Sequence, residues 1–158
     1  MLPTKRFFRK QLIVFFLFSV QSLFATDFTF PFIENKGQFP SNIQAKVNLP
    51  GGSLFIENGL FTYHFFDQQK LAAIHQVRAN DKVIKTHAFQ VVFKNANKNI
   101  VPILKTKSKF YANYFIGKDK NKWAENVHQY QMLLEENIYD NIDLKMYSND
   151  GNLKYDFI

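Results

Sequence analysis

The chain contains no cysteine. This absence excludes disulfide bonds, thiolate nucleophiles and zinc sites built on cysteine. It also excludes a bacterial lipoprotein, because the lipid of such a protein is attached to a cysteine. A domain without disulfides must be stabilised by its hydrophobic core alone.

The common motifs of catalytic and metal sites are also missing. There is no glycine-rich phosphate loop and no Gly-x-Ser-x-Gly elbow. None of the four histidines lies three or four residues from another, so the chain has no helical zinc pair; they are His64, His75, His87 and His128. We therefore expect no enzyme, no metal and no cofactor, although a triad assembled in space leaves no local pattern.

The acidic pairs are interpreted in the same way. Glu135 and Glu136 are adjacent, so on a strand they would point to opposite faces and could not form a glycosidase pair. Asp140 and Asp143 form the second acidic pair, and Asp140-Asn141 and Asn149-Asp150 lack the spacing of a calcium loop with its closing Glu. We expect these carboxylates to be solvated at strand ends and turns.

The N-terminus has the three parts of a secretory signal peptide. Lys5, Arg6, Arg9 and Lys10 are followed by an almost wholly apolar run over 12–24, and Ala25 provides a small residue for cleavage. A helix of that run would span only about 20 Å, less than the roughly 30 Å of a hydrocarbon core. Residues 1–25 are therefore predicted to be a cleaved signal, and the protein to be secreted or at the cell surface, with no membrane span after cleavage.

Signal removal changes the charge argument. The whole chain has 20 basic and 13 acidic residues and a net charge of +7. Four of the basic residues and none of the acidic ones precede Thr26, so 16 and 13 remain and the net charge falls to +3. The basicity is largely a targeting feature and does not indicate a nucleic-acid partner.

Two short turns predict antiparallel hairpins. A two-residue Asn58-Gly59 loop would place Ile56 opposite Phe61 and Leu54 opposite Tyr63. An Asp150-Gly151 loop makes three further cross-strand pairs, with residue types that match on each face; they are Met146 with Tyr155, Leu144 with Phe157, and Lys145 with Asp156.

The remaining segments fit a β-rich domain. Strand patterns cover 26–33, 43–47, 87–93 and 100–110, and residues 111–116 are rich in aromatic side chains. The pattern over 127–134 fits a strand or a helix, and the β-rich context favours a strand. The helical spacing over 68–81 predicts a short amphipathic helix or an ordered loop. Pro31 predicts that the first strand is an edge strand. Residues 26–158 are thus expected to form one all-β, antiparallel, β-sandwich-like domain with one short helix. The pattern at 155–158 still reads as a strand, so we expect the domain to be truncated there.

The segment Phe32-Ile33-Glu34-Asn35-Lys36-Gly37-Gln38-Phe39-Pro40 resembles the opening of an N-terminal domain of unknown function. That domain is found in secreted gliding-motility-associated proteins and in bacterial β-propeller-type (SBBP) repeat proteins. The likeness continues, in order, at 49–55, 59–63, 87–89, 113–117, 122–123, 138–139, 142–144 and 153–158. The resemblance implies a module of a longer protein that runs on past residue 158, and it carries over no catalytic residues.

The positions named as candidate binding or loop-anchor residues are Glu34, Asn35, Gln38 and Trp123. Loops carry function more often than cores do. The alternative is that Asn35 and Gly37 serve a backbone turn and that Trp123 anchors a loop in the core.

A second candidate surface combines lysines with aromatic rings. Lys105, Lys107 and Lys109 alternate as on one face of a strand, and aromatic residues follow over 110–115. Such interleaving can bind single-stranded nucleic acid. Lysines that protect an edge strand from aggregation explain it as well.

The sequence favours a non-enzymatic structural or adhesive module, whose partners are other modules of a longer surface protein or a surface glycan. A carbohydrate-binding module would instead present an exposed aromatic strip, made of Tyr63, Tyr111, Tyr114 and Trp123. The sequence also leaves open the N-terminal part of a secreted hydrolase and a gene remnant that does not fold.

Overall fold

A computed structural model describes residues 29–76 and 83–158. The predicted signal at 1–25 and its cleavage site lie outside these residues. So do the first residues of the strand predicted at 26–33 and the end of the helix predicted at 68–81. In the described parts of the chain, no helix is both long and apolar enough to cross a membrane.

The described residues form a single antiparallel sheet of nine strands with one short α-helix, which confirms the predicted fold class. The strands are β1 (Phe32–Glu34), β2 (Ala45–Leu49), β3 (Gly52–Glu57), β4 (Leu60–Phe66), β5 (Thr86–Val92), β6 (Ile103–Tyr114), β7 (Ala124–Tyr139), β8 (Ile142–Asn149) and β9 (Asn152–Phe157). Helix α1 (Gln68–His75) follows β4, and a 3-10 turn at Lys120–Lys122 precedes β7. The strand order is β5-β4-β3-β2-β1-β7-β8-β9, with β6 also paired to β7.

The 16-residue strand β7 organises the sheet. Strands β6 and β1 both pair with Tyr130, and β6 and β8 both pair with Met132. Because a strand has only two hydrogen-bonding edges, β1 and β8 must share the edge that β6 leaves free. The sheet therefore branches along β7. One branch, from β1 to β5, begins where β1 pairs with Gln129 and Tyr130, and the other, β8 and β9, begins at the C-terminal half of β7.

This division allows the sheet to curl onto itself. Tyr155 of β9 meets the ring of Phe61 of β4 at 5.9 Å and the ring of Phe93 at 6.3 Å. Between these layers lies the main core; its largest wholly buried side chains include Phe32, Phe61, Leu54, Ile56, Leu133, Leu144 and Met146. A second, smaller core forms on the other side around Ile33, Ala124 and Val127, with Phe39 and Tyr114 packed against it.

Both predicted hairpins are confirmed in register. Ile56 pairs with Phe61 and Leu54 with Tyr63. Met146 pairs with Tyr155, Leu144 with Phe157, and Lys145 with Asp156. The turns contain the left-handed backbone conformations that two-residue hairpin loops require, since Gly59, Asp150 and Gly151 all have positive φ.

The predicted first strand is wrong in extent and in place. Only Phe32–Glu34 form β1, and this strand lies inside the sheet between β2 and β7. Pro31 comes just before the first paired residue, so its missing N–H removes no hydrogen bond from the ladder.

The predicted helix is confirmed over Gln68–His75, and it begins at a side-chain cap. The Asp67 carboxylate accepts a hydrogen bond from the N–H of Lys70 at 2.9 Å, as an N-cap residue should. Strand β6 is an edge strand with β7 as its only sheet neighbour among the described residues. Lys105 and Lys107 share a face, since they pair in regular register with Met132 and Tyr130. Lys109 does not continue that row, because it lies where the register shifts between Lys107 and Tyr111.

Candidate functional site

Asn35 organises the loop that follows β1. Its Nδ2 donates to the carbonyl oxygens of Phe39 (3.3 Å), Pro40 (2.9 Å) and Ile43 (2.7 Å). Its Oδ1 accepts from the N–H groups of Gly37 (3.0 Å) and Phe39 (3.2 Å). Gly37 has φ of 107°, a conformation that favours glycine. All the hydrogen-bonding capacity of this side chain is used in shaping the loop.

Glu34 and Gln38 tie the same loop to the sheet. Glu34 Oε1 accepts from the backbone N–H of His128 at 2.7 Å, and Oε2 accepts from the Tyr130 hydroxyl at 3.2 Å. Gln38 Nε2 donates to the Glu34 carbonyl at 2.6 Å, and its Oε1 accepts from the N–H of Lys36 at 2.7 Å. Burial raises the pKa of Tyr130, and the nearby Glu34 charge and hydrogen bond raise this pKa further.

Trp123 lies on the surface and not in the core, so it does not anchor its loop in the way that the sequence suggested. It is 37% exposed, and its Nε1 donates to the carbonyl of Gly117 at 3.3 Å. Phe115 meets its ring edge-on at 5.4 Å, and Lys120 Nζ stands 5.6 Å from the ring centre. Trp123 therefore closes its own loop at the surface.

The loop after β1 and the loop before β7 adjoin each other. Lys36 Nζ donates to the Glu125 carbonyl at 3.0 Å. A cavity of about 310 Å³ lies between the two loops, lined by residues 37–40 and Lys122. Gln38 thus lines a small cavity, whereas the side chains of Glu34 and Asn35 form hydrogen bonds within the protein and do not line it.

The four rings expected in an aromatic strip have separate neighbours. Tyr63 stacks on Phe89 at 4.9 Å, and Tyr114 meets Phe39 at 6.1 Å. Tyr111 lies 5.8 Å from His128, and Trp123 lies against Phe115. Among the described residues, no ring contact joins any two of the four, so the fold does not assemble them into one strip.

A groove that sequence reasoning missed lies on the outer face of the sheet. Leu60 pairs with Glu57 and Val92, and Thr62 pairs with Gln90, so these five side chains share the face opposite the buried Ile56 and Phe61. The groove measures about 480 Å³ and is open to solvent; it is lined by Asn42, Gln44, Glu57, Asn58, Gly59, Leu60, Gln90, Val92 and Lys98. The Asn58-Gly59 hairpin could have located its end, but its other walls come from distant segments.

Three polar side chains of this groove are connected with Thr62 in a network, which we name the Glu57 network (Asn42, Glu57, Thr62 and Gln90). Asn42 Nδ2 donates to Glu57 Oε2 at 2.6 Å. Thr62 Oγ1 donates to Glu57 Oε1 at 3.2 Å, and Gln90 Nε2 donates to Thr62 Oγ1 at 3.2 Å. These donors orient the carboxylate and leave amide oxygens beside it, so the groove is rich in hydrogen-bond acceptors.

Glu135 is the clearest departure from expectation. It is wholly buried, not solvated, whereas the adjacent Glu136 is exposed. Neither of its carboxylate oxygens has a hydrogen-bond partner among the described residues, and burial raises its pKa to about 7. Leu133 and Leu134, which directly precede it and are themselves buried, were the available signal. In the described parts of the chain, no group of His, Asp or Glu is arranged to hold a metal ion.

Comparison with known protein families gives a match. A family model described as a domain of unknown function (DUF7948) matches residues 32–158. Neither the curated proteins nor the solved structures yield a match to the chain. The matched region begins at the first residue of β1 and includes every strand described above.

Proposed function

We propose that this chain, which belongs to the family described as a domain of unknown function (DUF7948), is a non-enzymatic structural or adhesive module of an exported bacterial protein. The proposal combines a rigid scaffold with a surface for recognition. Export is supported by the signal pattern at residues 1–25. Adhesion is supported by the groove on the outer face of the sheet.

The observation that carries the adhesive role is the Glu57 network. Glu57, Thr62 and Gln90 stand on β3, β4 and β5, so the sheet fixes their positions, whereas Asn42 precedes β2 and is held by its hydrogen bond to Glu57. Recognition sites on strands are held more accurately than sites on mobile loops. An open groove with preoriented acceptors suits a ligand that presents several hydroxyl donors, so we propose a neutral surface glycan as the ligand class.

The kind of protein to which this module belongs is also a proposal. We propose that the chain is the N-terminal module of a secreted gliding-motility-associated protein with β-propeller-type repeats. The support is the ordered resemblance of residues 32–158 to such domains, beginning at Glu34-Asn35-Lys36-Gly37. In that setting the loop held by Asn35 would present the module to its neighbours.

Binding to arrayed oligosaccharides tests the adhesive role. The array should include neutral, amino-sugar and uronic-acid chains, and each glycan retained by the purified protein should then be titrated by calorimetry. Loss of a hydrogen bond to a charged group costs about 1.5–3 kcal/mol, so Glu57→Gln should weaken binding by about tenfold or more. Gln90→Ala should weaken it less, because Gln90 acts on the carboxylate through Thr62.

The matched control is Gln76→Ala, which removes an exposed glutamine outside the groove. This variant should bind as the unaltered chain does. If the array retained no glycan, the proposal that the ligand is a glycan would be wrong. Equal losses in Gln76→Ala and Gln90→Ala would remove the groove as the site.

A further inference from the structure

We propose that the free edge of β5 pairs with β5 of a second copy of this chain, forming an antiparallel dimer about a two-fold axis. β5 is the last strand in the order, with β4 as its only sheet neighbour among the described residues. It is exposed on both faces, and only Val91 is partly buried. An exposed, apolar edge strand is a ready template for pairing with another chain.

The backbone of β5 presents a regular row of N–H and C=O groups that no described residue pairs with. The N–H of Phe93 donates to the carbonyl oxygen of Gly59, and the carbonyl oxygen of Lys85 accepts from the N–H of Asp67. The odd-numbered residues of β5 therefore direct their backbone N–H and C=O groups toward β4. The pairing with β4 is unbroken from Thr86 to Val92. Antiparallel strands alternate in direction, so the even-numbered residues Thr86, Ala88, Gln90 and Val92 direct their N–H and C=O groups outward.

The other two edges of the sheet carry the features that usually prevent such pairing. β6 has three exposed lysines and an interrupted register. β9 carries Lys154 and Asp156. Residues 86–93 contain no Lys, Arg, Asp or Glu and no Pro or Gly. β5 is thus the one edge of the described sheet without charge, bulge or proline to block another strand.

A second copy is the occupant that fits this edge. With Phe89 of each copy on the two-fold axis, Ala88 pairs with Gln90 of the second copy, and Thr86 with Val92. This single register satisfies every outward-facing residue, and each such pair exchanges two hydrogen bonds. The flanking Lys85 and Lys94 would then stand opposite Phe93 and Ile84, so no like charges face each other.

The aromatic row on the inner face supports the same axis. Phe89 stacks on Tyr63 at 4.9 Å with 10° between the planes, and it lies 6.3 Å from Phe65 at 22°. Phe89 is still 42% exposed at the end of this row. Pairing about Phe89 would place the two Phe89 rings side by side at a close, non-hydrogen-bonded position. The two rows would become one continuous stack across the interface.

Sedimentation velocity across low-micromolar to near-millimolar protein tests the proposal. We expect a concentration-dependent species of twice the mass of the chain. Gln90→Pro removes one outward N–H without touching the ladder to β4, and it should abolish this species. Gln90→Thr is the matched control, because it changes the side chain but keeps the N–H, and it should leave the dimer in place.

The absence of cysteine allows a second test that does not depend on the proline variant. Under mild oxidation Phe89→Cys should form disulfide-linked dimers rapidly, because this position faces itself across the axis. Lys107→Cys, on the lysine-protected edge, should remain monomeric. A monomer at every concentration would overturn the proposal. So would persistence of the dimer in folded Gln90→Pro, or Phe89→Cys crosslinking no faster than Lys107→Cys.

Discussion

Glu135 stands directly opposite Leu144 in the ladder between β7 and β8, on a face that is otherwise apolar. Residues opposite each other share a face, so the carboxylate points the same way as the buried side chains of Leu133 and Met146. A charged carboxylate there would lack a partner within residues 29–76 and 83–158, since neither of its oxygens accepts a hydrogen bond from them. The folded chain should therefore prefer the protonated form of Glu135.

Stability should accordingly decrease toward neutral pH. The pKa of Glu135 is raised from 4.5 in the unfolded chain to about 7 in the folded chain, so the folded state binds the proton more tightly. Its contribution to the free energy of unfolding is fully present below pH 4.5 and is lost as the pH rises through 7. The loss amounts to at most about 3 kcal/mol. Urea denaturation at pH 5 and pH 8 measures it.

Two variants isolate the residue responsible. Glu135→Gln cannot titrate, so the difference between its pH profile and that of the unaltered chain should follow the predicted decrease. Glu136→Gln changes the exposed neighbour and should reproduce the unaltered profile. A Glu135→Gln profile parallel to that of the unaltered chain would show that the carboxylate is already charged in the folded state.

Substitution of Asn35 should destabilise the protein although the residue lies in a loop. Asn35→Ala leaves three carbonyl oxygens and two N–H groups without this partner, at a cost of about 2–3 kcal/mol in the free energy of unfolding. Asn35→Asp keeps the acceptor but sets a carboxylate against the three carbonyls, so it should cost at least as much. Urea denaturation compares both with Asn48→Ala, an exposed asparagine that should change stability by less than about 0.5 kcal/mol. Equal midpoints for Asn35→Ala and Asn48→Ala would contradict this role.

Strand pairings could be predicted from the sequence where the paired residues are close along the chain, and could not where they are far apart. The pairing of Ile56 with Phe61 follows from a two-residue turn, because the length of that loop leaves one register. The pairing of Phe32 with Tyr130 joins segments almost a hundred residues apart, and nothing local specifies it. For that reason β1 was wrongly expected at an edge and the division of the sheet at β7 was not foreseen.

The candidate sites follow the same rule. The turn chemistry of Asn35 and Gly37 could be predicted from the sequence, whereas the Glu57 network needs Asn42, Thr62 and Gln90 from separate segments. Glu135 was misinterpreted because charged residues are rarely buried. Its burial follows from a position on β7 that only the pairing with β8 reveals.

If residues 1–25 are a cleaved signal peptide, as the sequence predicts, the N-terminus of the mature protein should show it. When the full chain is expressed in a Gram-negative bacterium, mass spectrometry of the mature product should place its first residue at or near Thr26. Leu17→Arg introduces a charge into the apolar run and should leave the chain uncleaved in the cytoplasm. Retention of Met1 in membrane-bound, unaltered protein would instead indicate an anchor.

Gly52 should be the least replaceable glycine of the described sheet, for a steric reason and not a conformational one. It is buried in β3 opposite Phe65, and a Cβ there would overlap the carbonyl oxygen of His64 and come within 2.9 Å of the Phe65 ring. Neither backbone nor ring can withdraw without disturbing the ladder between β3 and β4, so Gly52→Ala should cost about 3 kcal/mol or more. Gly37 is the matched control, because its φ of 107° strains a side chain but a Cβ there would meet nothing within 4 Å. Gly37→Ala should therefore cost only about 1–2 kcal/mol. Thermal denaturation of the two variants should rank Gly52→Ala well below Gly37→Ala, and the reverse order would mean that β3 and β4 are not packed as closely as the structure places them.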